Sequence, residues 1–395
     1  MLARGLIAAA ALLLLFWARA FFRARAVLGG EFGLGPEDAT PAGEDAPPVS
    51  IVLPARNEED NIEGCVRSLL ASRYPEFEVV VVDDNSEDRT AEVAASLARG
   101  EERLVLVAGQ PLPDGWCGKT HALDQGVARA RHDWLLMTDA DTTHHPDGLA
   151  AVIGAVRGRK LQALSLYPRL ACHSFWERLV QPSIAALIEN FMPLTRVNDP
   201  GDPLTWANGQ YFLVHREAYE RAGGMQGVRS RVLEDVAFAY ALKQKGVRYQ
   251  LLVADRLFTT RMYSSLGEIV EGWSKNLFLA MRRQVPLALG VALFALLTTW
   301  LPLGGLCAGV ALLAGAAGGG GMNAAALGLG GLGVLQYLLV LSTQAFVRSR
   351  IKLYPRYALL APLGALISAY IILLSAWKHR VRGQVTWKGR TFTDR

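Results

Sequence analysis

Asp139 and Asp141 stand one residue apart at the end of the apolar run Trp134-Leu-Leu-Met137. A strand that stops at such a pair sets two hard oxygen ligands on the rim of a sheet, where they can hold a divalent cation against a diphosphate. Taken alone, the pair also reads as two solvated loop aspartates. Four other groups follow apolar runs in the same way. Pro54-Ala-Arg56-Asn-Glu58 ends a run and opens backbone amides toward a helix start, which makes either a nucleotide cradle or an ordinary helix cap by Asn57. Asp83 and Asp84 follow Phe77–Val82. A carboxylate there accepts from a base N–H or a ribose hydroxyl, or else closes an Asx-turn. Gly115-Trp-Cys-Gly-Lys119 frees the backbone at two glycines and starts a helix at Lys119, beside the site a diphosphate would take; the P-loop spacing is absent. Glu234-Asp235 precedes a helix pattern. Such a pair either complements the helix dipole or supplies a general base for an attacking hydroxyl.

These groups need a frame. Val49–Leu53, Phe77–Val82, Leu104–Val107 and Trp134–Met137 read as strands, and Phe77–Val82 as a strand buried on both faces. Helix patterns run between them, over Ile62–Leu70 with Asn57–Asp60 as its cap, Thr90–Leu97 and Thr120–Ala130. A β-α-β-α-β order predicts a doubly wound, mostly parallel sheet with its ligand at the carboxyl ends of the strands.

The chain has 395 residues, of which 51% are hydrophobic, and a mean hydropathy of +0.20. That is too apolar for an ordinary soluble enzyme, and the excess sits at the two ends. Leu2–Phe22 is long enough to span a bilayer, and Arg19, Arg23 and Arg25 after it predict an uncleaved anchor with its arginines in the cytoplasm. After Gln284, Pro286–Pro302, Leu303–Ala317, Ala324–Phe346 and Ala358–Trp377 are candidate spans, giving an expectation of four with a cytoplasmic tail. The basic segments Arg348–Lys352 and Lys378–Arg382 flank one span, so the positive-inside rule cannot satisfy both. The four cysteines have no metal-ligand spacing and fit a reducing compartment. The net charge of +5 is that of juxtamembrane arginines facing anionic lipid. No basic stripe with interleaved aromatics appears, so no nucleic acid is expected as a partner.

The order Pro-x-x-Asn-Glu at 54–58, Val-Val-Asp-Asp-x-Ser at 81–86, Gly-Lys-x-x-Ala-Leu at 118–123, Asp139-Ala-Asp141 and Glu234-Asp235 resembles a family 2 inverting glycosyltransferase of the GT-A fold, from about Val49 to Met281. Pro111-Leu-Pro-Asp-Gly-Trp-Cys-Gly-Lys119, Glu271-Gly-Trp-Ser-Lys-Asn276 and Val385-Thr-Trp-Lys-Gly-Arg390 are similar to membrane enzymes of that family. These are the hopene-associated glycosyltransferases and those acting on carotenoid acids such as diaponeurosporenoate. The resemblance implies a nucleotide-sugar donor, UDP-linked, with a divalent metal (Mg²⁺ or Mn²⁺), a lipid acceptor and the membrane as partners. It implies donor contacts from Pro54, Arg56, Glu58, Asp83, Asp84, Lys119 and Asp139, metal binding by Asp141 with Asp139, and Asp235 as base supported by Glu234. The Gln-x-x-Arg-Trp motif of processive synthases is missing from Asn276–Gln284, which implies transfer of a single sugar. The implied layout is an anchor over 1–25, a linker over 26–48, a GT-A domain over 49–265 and an interfacial amphipathic helix over 266–284. Membrane helices over 285–378 and a basic cytoplasmic tail over 379–395 complete a multi-pass inner-membrane protein whose catalytic domain is cytoplasmic. A polyprenyl-phosphate or ceramide-type transferase and a non-catalytic scaffold of the same fold are the alternatives.

Other residues read less sharply. Asn208 and Gln210 precede the apolar run Phe212–Val214 and are acceptor-site candidates by the same resemblance. Trp273, Lys275, Arg282 and Arg283 suit a helix at the headgroup layer, with acceptor gating by Trp273 as a further role. Trp387, Lys388 and Arg390 either reach the donor or lie on the membrane surface. His144-His145 reads as exposed loop histidines rather than a metal pair, and Leu187–Pro193 either as a lipid-entry lip or as core.

Overall fold

A computed structural model describes residues 2–26, 30, 32–39, 46–317, 324–382, 385–387 and 390–392. In chain order the strands are β1 (Val49–Ala55), β2 (Phe77–Asp83), β3 (Leu104–Ala108), β4 (Trp134–Thr138), β5 (Thr142–His144), β6 (Ala163–Tyr167), β7 (Arg169–Leu170), β8 (Tyr211–His215), β9 (Tyr249–Val253), β10 (Phe258–Thr260), β11 (Val385–Trp387) and β12 (Arg390–Phe392). The α-helices are α1 (Leu2–Ala26), α2 (Ile62–Leu70), α3 (Thr90–Ala98), α4 (Gly118–Arg129), α5 (Gly148–Gly158), α6 (Phe175–Phe191), α7 (Leu194–Val197), α8 (Arg216–Arg221), α9 (Glu234–Gln244), α10 (Leu266–Ala280), α11 (Val285–Ala317), α12 (Ala324–Arg350) and α13 (Ala361–Trp377). They form two compact units: one built mainly from Phe32–Ala171 and Met192–Met262, the other from α1, Cys172–Phe191 and the chain from Tyr263 through α13.

The first unit is the expected α/β layer structure. Its seven-stranded sheet runs β3-β2-β1-β4-β8-β6-β9. The β1–β2, β2–β3, β1–β4 and β6–β9 pairs are parallel, and β8 is antiparallel to both β4 and β6. Val79 to Val82 are wholly inaccessible, as a strand covered on both faces requires. Strands β2 and β3 step away from β1 on one side while β4 lies on the other. The connections therefore diverge at β1 and β4, and a crevice opens beyond their carboxyl ends.

Two local expectations are corrected. Asn57 does not cap the first helix: its φ is +52°, and α2 begins five residues later, at Ile62. The β2 run is not purely apolar either, because Glu78 is buried at 1% exposure. It accepts from the Ser50 hydroxyl at 2.6 Å, the Arg131 N–H at 2.7 Å and Arg131 Nε at 2.8 Å. Burial alone would raise its pKa, but these donors outweigh it and hold the carboxyl below its ordinary value.

In the second unit the expected pair of short spans, Pro286–Pro302 and Leu303–Ala317, is a single helix, α11, with Pro302 inside it. Pro302 has no N–H, which leaves the carbonyl four residues earlier without its helical donor. That carbonyl belongs to Thr298, and it accepts from Trp17 Nε1 at 2.8 Å. A side chain from α1 thus repairs the break, so the helix continues through the proline. Among the described residues three helical segments are long and apolar enough to cross a membrane: Val285–Ala311, Gly330–Arg350 and Pro355–Val381. Trp17→Phe should destabilise the detergent-solubilised chain by about 1–3 kcal/mol, the cost of an orphaned carbonyl. Pro302→Ala should offset most of that loss. Strictly additive melting shifts in the double variant would mean that the two residues do not act together.

The helix α10 is capped by Ser265, whose hydroxyl accepts from the Glu268 N–H, and it ends at Ala280. Arg282 and Arg283 are not on this helix. They have φ of +52° and +57° and form the turn into α11. The serine hydroxyl of Ser375 on α13 donates to Ser274 O at 2.6 Å and accepts from the Phe278 N–H at 3.0 Å, which fixes α10 against α13.

Candidate active site

The loops after β1 and β2 are laced together. Arg56 Nη1 donates to the carbonyls of Asp84 at 2.9 Å and Asn85 at 2.7 Å, and its Nη2 meets Glu87 at 3.0 Å. The Asn57 N–H donates to the Ser86 hydroxyl at 3.1 Å, and the Glu58 N–H to the Thr90 hydroxyl at 2.7 Å. Arg56 is therefore engaged in holding the Asp83–Glu87 loop. Pro54 is the penultimate residue of β1, and Asp84 is buried at 4% exposure. Asp83 Oδ2 accepts from the Ser86 N–H at 3.4 Å, while its Oδ1 is buried with no hydrogen-bond partner. A buried acceptor in that state costs free energy until a donor arrives. A base N–H or ribose hydroxyl has that chemistry.

Because β8 runs antiparallel to β4, with Tyr211 opposite Thr138, the turn entering β8 lies beside the residues leaving β4. The Thr138 hydroxyl donates to the Gln210 carbonyl at 2.7 Å, which closes that junction. The start of α4 is drawn to the segment leading into α9: the Cys117 N–H and the Thr120 hydroxyl both reach Arg229 O at 2.7 Å. These connections bring Lys119, Asp139, Glu234 and Asp235 together. Lys119 Nζ lies 2.7 Å from Asp139 Oδ1 and 2.8 Å from Glu234 Oε1. Asp235 Oδ2 accepts from the Gly209 N–H at 2.8 Å, and Oδ1 from its neighbour's Val236 N–H at 2.8 Å. A Cβ at position 209 would stand 3.1 Å from Lys119 Nζ and 3.2 Å from both Asp235 Cβ and Glu234 Oε1. A side chain there would make all three groups give way by a few tenths of an ångström.

The electrostatics follow from this crowding. Burial would lower the Lys119 pKa, but the Asp139 and Glu234 charges outweigh it and hold the ammonium well above its ordinary range. Burial raises the Asp139 carboxyl, with Lys119 pulling the other way. Burial, and then the charge of Glu234, push Asp235 up to about 7. A carboxylate poised there is suited to accept a proton near neutral pH.

Asp139 and Asp141 bring hard oxygen donors to the exit of β4. Among the described residues no three His, Cys, Asp or Glu side chains form a cation cage. A magnesium-like ion held by one or two carboxylates completes its shell with substrate phosphates and water. The donor set fits that use.

Several residues stand elsewhere in the network. Asn208 Nδ2 donates to Leu166 O at 2.8 Å, and Gln210 Nε2 to the Thr260 hydroxyl at 2.9 Å, so both amides brace the turn that carries Gly209. His144 is not an exposed loop residue. It is part of β5, its ring is stacked on Phe258, and burial lowers its pKa to about 3, so it is neutral. Trp273 belongs to the second unit, where its Nε1 donates to Gln181 Oε1 at 2.7 Å. Trp387 and Arg390 are register partners in the antiparallel β11–β12 pair, and Lys388 lies outside the described residues. Gly209 is the member of the cluster that sequence reasoning passed over. Its signal was the Asn208-Gly209 step at the entrance of a strand, which is a turn signature.

Residues 50–223 match the model of glycosyl transferase family 2. The chain is 26% identical over 356 residues to a 4,4'-diaponeurosporenoate glycosyltransferase of Staphylococcus aureus strain MRSA252, covering 87% of this chain and 88% of the relative. Against the protein of that name from strain USA300 it is 28% identical over 238 residues, 58% of this chain and 60% of the relative. Among solved structures, the mannosyltransferase PcManGT of Pyrobaculum calidifontis, in complex with GDP-Man and Mn²⁺, aligns over 96% of this chain and 98% of its own with a TM-score of 0.50 at 20% identity; the two share a fold. The chain carries a glycosyl transferase family 2 domain of GT-A fold and is a glycosyltransferase.

Proposed function

We propose that the chain moves one sugar from a nucleotide-diphosphate donor, UDP-linked, to a lipid-soluble acceptor of isoprenoid type at a membrane, with inversion at the anomeric carbon. The observation that carries this reading is the Lys119–Asp139–Glu234–Asp235 cluster at the carboxyl edge of the parallel strands. Asp83 and Asp84 would receive the nucleoside, and Lys119 would face the diphosphate. Asp139 and Asp141 would hold a divalent cation, which when bound supplies neutralisation of the departing diphosphate. Asp235 takes the proton of an acceptor hydroxyl as its oxygen attacks the anomeric carbon from the face opposite the leaving group, and Glu234 holds Asp235 in its raised state. One displacement inverts the centre and needs no enzyme nucleophile. The relatives' name supports a carotenoid-type acceptor, and the three long apolar helices support action at a membrane; Arg19, Arg23 and Arg25 after the first apolar run favour a site on the cytoplasmic side.

The test is nucleotide release by the detergent-purified chain across UDP- and GDP-sugars, with Mg²⁺, Mn²⁺ or chelator, with and without isoprenoid lipid extract. Metal-dependent release from one donor that rises when lipid is added is expected. Labelling of a polyprenyl phosphate or ceramide instead would replace the acceptor class. No release and no nucleotide binding under any condition would leave only a scaffold of this fold.

A further inference from the structure

Lys243 stands in the last turn of α9, where a cation ordinarily complements the helix dipole. Its Nζ reaches another segment instead. It donates to the carbonyls of Val197 at 2.9 Å, Asp199 at 3.1 Å, Asp202 at 3.0 Å and Leu204 at 2.9 Å. An ammonium has three protons, so the four oxygens share them, as a coordination shell surrounds a metal ion. All four are main-chain oxygens, the kind that replaces the water around an alkali cation. Burial pulls the ammonium below the ordinary lysine range, with Asp202 and Asp199 pulling the other way.

The same segment runs on to the catalytic cluster. Three side chains hold it to the sheet. Asn198 exchanges hydrogen bonds with the backbone of Leu251 at 2.9 and 2.7 Å, the Tyr249 hydroxyl donates to Trp206 O at 2.8 Å, and the Ser165 hydroxyl accepts from the Asn208 N–H at 2.8 Å. The Gly209 N–H then donates to Asp235 Oδ2. Asp235 and Lys243 lie about two turns apart on α9, about 12 Å along its axis. The helix is thus tied to the segment at two points, the base at its start and the ammonium at its end. Between them α9 buries Phe238, Ala239 and Leu242. Apolar burial is non-directional and does not by itself fix where the helix stops along its axis. Hydrogen bonds from a charged donor do.

We propose that Lys243 is a positioning residue for the base: its ammonium is the resident cation of a four-carbonyl site, and filling that site sets Asp235 against the Asn208–Gly209 turn. The role of Asp235 rests on the proposed function, whereas the carbonyl site rests on geometry alone. Emptied by truncation, the site should accept a free monovalent cation. Lys243 is half-buried, so Lys243→Ala opens a path from solvent to the oxygens. Melting and sugar transfer of Lys243→Ala and Lys243→Met are measured on the full detergent-solubilised chain, in the chlorides of potassium, ammonium and N-methyl-D-glucamine at one ionic strength. In the last of these salts kcat should fall about 10–10²-fold in both variants, the cost of a base displaced by about 1 Å, with nucleotide affinity unchanged. Potassium and ammonium should restore most of the rate of Lys243→Ala and raise its melting temperature. Lys243→Met, which fills the space of the stem, and the unaltered chain should not respond. Placed on Asp235→Asn, Lys243→Met should cost less than about twofold more, because a residue that acts through the base has nothing left to position. Nucleotide-binding stoichiometry counts the folded molecules, and if Lys243→Ala does not fold, Lys243→Met and its coupling to Asp235→Asn decide. Unaltered kcat in both variants, or an undiminished loss on Asp235→Asn, overturns the positioning role. Equal rate and melting of Lys243→Ala in every salt overturns the cation site. Cation-dependent melting in a chain that transfers no sugar from any donor removes the function and leaves the site. Equal transfer by the unaltered chain and both variants leaves the function and removes the positioning.

Discussion

Replacing Asp235 with Asn should cut transfer to a hydroxyl acceptor by about 10²–10⁴-fold, the range of a positioned general base, while leaving nucleotide binding intact. The carboxyl is pushed up to about 7 by burial and by the charge of Glu234. It is therefore half ionised near neutrality, and kcat/KM for a hydroxyl acceptor should rise with pH through about 7 and level off above it. Asp235→Asn should lose that inflection along with the rate. An acceptor that arrives as a carboxylate has no proton to give up. With such an acceptor the same variant should lose less than about tenfold, and the pH rise should vanish even in the unaltered enzyme. Comparing a lipid alcohol with a lipid acid thus separates proton abstraction from mere positioning. Full turnover on the alcohol would remove Asp235 from the base role.

The stability consequence has the opposite sign. Because the folded-state pKa is raised above the ordinary carboxylate value, the contribution of Asp235 is most favourable at low pH and is lost as pH rises toward and through about 7. Asp235→Asn should then melt no lower than the unaltered chain at pH 8, since it removes a charge that folding disfavours there. One of its two backbone donors, Gly209 or Val236, will face the amide nitrogen rather than an oxygen, which limits the gain. A large drop in melting temperature would show that the carboxylate is held for structure.

The parts of this arrangement that were legible in the sequence are those governed by short-range rules. Apolar runs such as Val79–Val82 announce buried parallel strands, and the topology then places whatever follows them on one rim, which is why Asp83, Lys119 and Asp139 could be gathered before any contact was known. The remainder depends on long-range packing. Asn57 has the residue type of a cap, but the hydrogen bonds it exchanges with Ser86 and Glu87 hold it in a left-handed conformation. Glu78 is hidden inside a strand because Arg131, far along the chain, supplies its donors. Pro302 reads as a break until Trp17 satisfies the Thr298 carbonyl. Arg56 resembles a ligand for the donor by motif; its Nη1 is engaged by the Asp84 and Asn85 carbonyls, while its Nε is buried with no hydrogen-bond partner. In each case a partner distant in sequence overrides a local preference that was read correctly.

Lys119→Met should damage rate, nucleotide binding and stability together. The ammonium lies between Asp139 and Glu234 at 2.7 and 2.8 Å, with side-chain exposures of 32%, 27% and 11% for the three groups. Removing it leaves two carboxylates facing each other beside a third, Asp235, and like charges at that spacing cannot all ionise. One of them must take up a proton, so Asp139 and Asp235 should both titrate higher still. The donor diphosphate would then meet net negative charge instead of a cation. A loss of about 10²–10³ in kcat is expected, the range seen when one positioned electrostatic group is deleted, together with weaker nucleotide binding. Partial exposure screens the pair, so the stability loss should be about 1–3 kcal/mol rather than the full cost of an uncompensated buried charge. That loss should grow between pH 6 and pH 8, as the carboxylates ionise. Lys119→Arg keeps the charge, but its wider head must enter the space that Gly209 leaves open, where Nζ already stands 3.1 Å from the position of an added Cβ. It should recover stability more than rate. If Lys119→Met/Glu234→Gln melts like the unaltered chain yet still fails to bind nucleotide, the lysine's part is at the diphosphate. If nucleotide binding returns with stability, its part is to keep the carboxylates apart.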